Sequence, residues 1–115
     1  MDDIAYVVEI LQAAMPNIPI STEIPPTRPE RAVVVSLVGD ASDPLIHRPR
    51  IMCTVWGVSD LDAHEGAIST WHALAEAAQT DDLLSSVTLE SMSRDEWVAN
   101  GAARYIVQLD LVINT

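Results

Sequence analysis

The sequence predicts an α+β domain, a four-stranded mixed or antiparallel sheet with two helices packed on one face, in the order α-β-β-α-β-β. Three observations carry that expectation. An apolar segment, Ile51-Met-Cys-Thr-Val-Trp56-Gly, is followed at once by a helix-patterned one from Asp60 to Gln79. The stretch from Arg104 to Asn114 alternates: Tyr105, Val107, Leu109, Leu111 and Ile113 fall on one side, Arg104, Ile106, Gln108, Asp110 and Val112 on the other. That is the period of a strand with two unlike faces. Finally, 115 residues of which 49% are apolar supply one modest core, so residues 1–115 read as a single domain.

Residues 2 to 15 place Ile4, Val7, Val8, Leu11 and Met15 on one stripe, with Asp2 and Asp3 at the end where the helix dipole favours carboxylates. Pro16 ends that helix, having no amide to continue it. From Pro16 to Arg31 five prolines forbid both helix and central strand, and Ile18, Ile20 and Ile24 are too apolar for a free linker. The segment reads as an ordered, extended connection lying along the domain or a neighbour.

Arg31 to Val38 is a β-branched run and the first strand. Gly39-Asp40 and Asp43-Pro44 supply turn chemistry, and the strand from Arg50 returns antiparallel. The intervening arm, Asp43 to Pro49, is long for a hairpin and carries Leu45, Ile46, His47 and Arg48, a composition typical of loops that touch something. The segment from Ile51 fits a mid-sheet strand buried on both faces.

In the central helix Leu61, Ala67, Ile68, Trp71, Leu74, Ala75 and Ala78 form the expected buried face, opposite Asp62, Glu65, Thr70 and Glu76, and Ser59 is the expected N-cap. Val87 to Met92 gives a short strand, and Asn100-Gly101 is a hairpin signal leading into the last strand. Trp56 and Trp71 fit core faces, whereas Trp97 stands among charged residues, either folded over its own strands or offered to a partner.

Charge sets a further bound. Seventeen acids stand against six bases, all arginine, for a net charge of −11. Such a chain repels nucleic acid unless its arginines cluster, so sequence-specific DNA recognition is not expected. The lone Cys53, inside the buried-strand pattern, reads as a packed thiol. No apolar run reaches the ~20 residues of a membrane span, and Met1-Asp2-Asp3 lacks a basic leader start, so a soluble, intracellular chain is expected.

Catalytic and cofactor signatures are not found. Gly39, Gly57, Gly66 and Gly101 assemble neither a dinucleotide fingerprint nor a phosphate loop, and no serine sits in a nucleophile elbow. His64 and His72 lie about 80° apart around a helix, without metal-ligand spacing. Asp60-x-Asp62-x-His64 opens like a calcium loop, but Glu65 and Trp71 stand where that loop needs glycine and glutamate. No catalytic, cofactor or metal residue is therefore assigned.

The order of parts points further: a first helix, Pro26-Thr-Arg-Pro29 entering a valine-rich strand, Gly39-Asp40 with Asp43-Pro44-Leu45, Pro49-Arg-Ile, Thr54-Val-Trp-Gly, Ser59 before an alanine-rich helix, and Arg104-Tyr105 opening the last strand. Over nearly its whole length this resembles the tail terminator proteins of long-tailed bacteriophages, especially of actinobacteriophages. It departs in having Gly-Asp where relatives often carry two glycines, and in the acidic hairpin around Trp97.

The resemblance implies a structural, non-enzymatic subunit without cofactor. In such a virion protein six copies form a ring on the tail tube, stop its growth and meet the head-tail connector. It implies a place at the head-proximal end of the tail, reached from the host cytoplasm, with no membrane partner. Negative walls around DNA that passes without specific binding would suit that place. The expected subunit or partner interface is Ile18, Ile20, Ile24, Leu45, Ile46, Arg48, Arg50, Arg94, Trp97 and Arg104. Rival readings are a head-completion or connector (neck) protein, or a small ligand-binding module or enzyme with a pocket between the central helix and the proline-rich segment.

Overall fold

The computed structural model describes residues 2–24, 29–95 and 103–114. Among them the order is α1 (Asp3–Ala14), β1 (Ile20–Ser21), β2 (Ala32–Asp40), β3 (Ile46–His47), β4 (Pro49–Gly57), α2 (Asp60–Thr80), β5 (Leu84–Arg94) and β6 (Ala103–Asn114). The fold is α+β as expected, but the expected four-stranded sheet is corrected: the mixed sheet has six strands and curls into a half-barrel.

Both additional strands are two residues long and lie where prolines hid them. Pro19 cannot donate, yet its carbonyl accepts the Val33 amide at 2.9 Å, and Ile20 and Ser21 then pair in parallel with Val33 and Val34. This is an edge position, where a proline is tolerated. On the other side of the arm, β3 and β4 share one register on β6, running from Ile46 opposite Asn114 to Gly57 opposite Ala103. They are one strand interrupted at Arg48, whose amide turns to the Ser42 hydroxyl (2.8 Å), and Pro49 has no amide to offer.

At the centre β2, β4 and β6 run antiparallel in turn, β5 adds antiparallel to the far side of β6, and β1 edges β2. Both helices cover the face formed by Val33, Val35, Ile51, Cys53, Val55, Val107, Leu109, Leu111 and Ile113, to which α1 brings Val7 and Leu11. The alternation expected of β6 is observed, with its Val107, Leu109, Leu111 and Ile113 buried and its Arg104, Ile106, Gln108, Asp110 and Val112 half-buried.

α2 is turned relative to the expected face. Its buried seam is Ala63, Ala67, Thr70 and Leu74, while Leu61 is 65% exposed. Small residues let the helix approach the sheet closely, and Thr70 joins them because its hydroxyl donates to the Gly66 carbonyl at 2.8 Å and leaves no unmet donor. The close approach is fixed by glycine at two points. A Cβ on Gly57 would lie 2.4 Å from the Ala63 amide nitrogen, and one on Gly66 would lie 2.9 Å from Val55 Cγ1. The Ser59 cap is observed, its hydroxyl accepting the Asp62 amide at 3.1 Å.

Trp56 is buried as expected, but on the face away from the helices, in a small cluster with Ala32 and Val34. There the Arg104 guanidinium lies 5.6 Å from its ring centroid. Trp71 is half-buried against the main core.

Candidate assembly surface

The arm between β2 and β4 is a self-organised hairpin. At its tip the Asp43 amide donates to the Ile46 carbonyl (3.0 Å), and Asp43 Oδ1 accepts the amides of Leu45 and Ile46 (2.9 Å each). Pro44, with its fixed φ, fits the turn so formed. Further down, Asp40 Oδ1 accepts the Ser42 amide at 2.8 Å and the Ser42 hydroxyl, and the Ala41 amide donates to the Arg48 carbonyl at 3.0 Å. These bonds hold both aspartates below the usual carboxylate range.

The arm and the end of β2 that leads into it bury little of their apolar surface. Leu37 is 50% exposed, Val38 46% and Leu45 79%. At its foot lies a groove of about 430 Å³ lined by Val38, Asp40, Arg48, Arg50, Asp110 and Val112. Arg50 forks onto Asp110 there, with Nε to Oδ1 at 2.7 Å and Nη2 to Oδ2 at 3.2 Å. A β-bulge between Leu89 and Ser91 brings Glu90 to the same carboxylate. One guanidinium then serves two carboxyls, so a hydrogen bond to Asp110 raises the pKa of Glu90, while Arg50 lowers that of Asp110.

The expected interface residues divide. Ile20 is buried within the subunit and Ile18 is half-buried against the core, so that part of the connection ties α1 and β1 to the sheet. Ile24 is exposed, as are Leu45 and Arg48, and Ile46 is half-buried in β3. Three of the arginines already hold intramolecular carboxylates: Arg50 on Asp110, Arg94 on Asp60 (3.2 Å), and Arg104 on Asp95. Among the described residues Arg48 forms no ion pair. Trp97 and the hairpin expected at Asn100-Gly101 lie outside the described residues.

Other charged groups have structural partners. Asp62, in the first turn of α2, accepts from Arg31 (2.9 Å) and from the Val58 amide (2.9 Å). His47 Nδ1 lies 3.0 Å from Asp3 Oδ1, and His64 lies 5.1 Å from the Tyr105 ring. Among the described residues no group of three or more His, Cys, Asp or Glu side chains could hold a metal ion. A smaller hollow of about 200 Å³, lined by Ile18, Arg31, Trp56, Asp62, Glu65 and Ser69, lies between α2 and the proline-rich segment.

Sequence reading missed Leu37 and Val38 as surface residues, because a valine-rich run looks the same whether the sheet or solvent lies beyond it. The adjacent Gly39, where the register slips between Leu37 and Gly39, was the available signal. No protein-family model matches the chain, and no curated protein matches it.

Proposed function

We propose that this chain is a tail terminator subunit of a long-tailed bacteriophage, six copies of which form a ring that caps the tail tube, ends its growth and offers a surface to the head-tail connector. The observation that carries this reading is the hairpin arm. It is ordered by its own Asp40 and Asp43 bonds, yet leaves Leu45 exposed, as the end of β2 that leads into it leaves Leu37 and Val38, a combination that gains little for a monomer and supplies apolar anchors to an assembly. The molecule is also elongated, 44 Å by 25 Å by 24 Å. A net charge of −11 suits a channel wall that DNA must pass without sticking.

Light scattering and electron microscopy of the purified chain, alone and with tail tubes, test the proposal. Closed six-membered rings on tube ends are expected. A chain that stays monomeric at high concentration and with tubes present overturns it. The related connector reading is separated by gene neighbourhood, since a terminator gene adjoins that of the major tail protein and a connector gene adjoins those of the portal and capsid. The hollow beside Trp56 favours a ligand-binding module as the second reading, although Arg31 and Asp62, the charged pair lining it, are satisfied by one another.

A further inference from the structure

We propose that copies of this chain join head to tail through their sheets, the edge of β2 beyond β1 in one copy pairing antiparallel with the outer edge of β5 in the next. This rests on the ring reading and names the surfaces that close it. Among the described residues both edges are open. β1 reaches only Val33 and Val34, and no described strand lies on β2 past that point, where Leu37 and Val38 are exposed. At the other side β5 is bonded to β6 alone along its length from Leu84 to Arg94. Uncovered strand edges are templates for a further strand, and that of β2 carries the exposed Leu37 and Val38.

Amide directions support the match. The Val33 amide points outward to Pro19, so by alternation that of Leu37, beyond the reach of β1, points outward as well. On β5 the Asp95 amide points inward to Arg104, which turns those of Arg94 and Met92 outward, and the register from Ser91 to Arg94 is regular.

Strand direction selects a second copy as the occupant. β2, β4, β6 and β5 alternate in direction across the sheet, so β2 and β5 run oppositely. A rotation about an axis along the strands preserves direction and face, and so brings the β5 of a second copy antiparallel to the β2 of the first. Joining unlike edges uses both and can close into a ring, whereas a two-fold contact pairs like edges and leaves the others bare.

Two single variants, Val38→Cys and Ser91→Cys, test the inference with a short bis-maleimide on assembled rings. Cys53 stays silent because it is buried and its thiol is pushed up to about 12. A mixture of the two variants should give a covalent dimer that neither gives alone, the double variant should give a ladder ending at the ring size, and Leu37→Lys should lose the ladder. Rings whose cross-links form within one single variant, or not at all, overturn the edge pairing and leave the ring standing. Failure to assemble even on tail tubes overturns both.

Discussion

The phenol of Tyr6 in α1 donates a 2.6 Å hydrogen bond to Oδ2 of Asp81, the residue that caps the C-terminus of α2. Asp81 also accepts the Leu83 amide at 2.9 Å, so one carboxylate joins the first helix, the end of the second and the turn into β5. Burial, then the bond to Asp81, raises the Tyr6 pKa; the bond from Tyr6 lowers that of Asp81.

Tyr6→Phe should therefore cost about 1–2 kcal/mol near neutral pH, read as a lower Tm. The pH dependence has two limbs. Asp81, depressed in the fold, contributes stability that is lost as pH falls through its folded pKa; Tyr6, raised, contributes stability that is lost as pH climbs past the ordinary phenol value of about 10. The variant should flatten both limbs, and a parallel displacement of the whole pH–Tm curve would show that only packing was lost.

Gly57→Ala should destabilise by about 2 kcal/mol or more, because its methyl would meet the backbone of the first turn of α2, which cannot swing aside as a side chain can. Gly39→Ala is the control. Its Cβ would lie 3.5 Å from Arg50 Cβ, an ordinary contact, and the loss of glycine's unfolded-state freedom should leave Tm unchanged or slightly raised. Urea denaturation of the two variants checks the contrast.

The carboxyl pair on Arg50 predicts an acid-side effect. Glu90, raised mainly by its hydrogen bond to Asp110, binds its proton more tightly folded than unfolded, so its effect on stability grows as pH falls through its folded pKa. Asp110, lowered mainly by Arg50, acts oppositely and loses its contribution at still lower pH. Glu90→Gln should raise Tm at pH 7 and remove the gain seen on mild acidification. An unchanged pH–Tm profile would rule out the Glu90–Asp110 hydrogen bond.

Arg104 and Arg48 should behave in opposite ways. Arg104→Ala removes the Asp95 pair and the contact over Trp56 and should cost about 1–2 kcal/mol of folding stability. Arg48→Glu should leave Tm unchanged while weakening ring formation, since it adds charge to an acidic assembly. Trp97→Ala, if Trp97 is an interface anchor, should cost about 2 kcal/mol or more of association. Melting and tube-capping assays on each variant separate the roles, and a Trp97→Ala chain that fails to fold would assign that residue to the core.

What the sequence determined by itself is what local pattern controls. The two helices, β2, β4 and β6, the Ser59 cap and the two faces of β6 follow from period and capping chemistry within single segments, and all are present where those patterns lie, whereas β5 runs from Leu84 to Arg94, past both ends of the short strand expected from Val87 to Met92. The tertiary structure decided what depends on partners distant in sequence. β1 and β3 exist because β2 and β6 offer them edges, although their prolines argue locally against strand. Thr70, with its hydroxyl satisfied inside the helix, is buried and Leu61 is exposed because Gly57 and Gly66 set how closely α2 meets the sheet. Arg50, Arg94 and Arg104 looked free for a neighbour, but their carboxylates lie 60, 34 and 9 residues away in the chain, a pairing that only folding brings about.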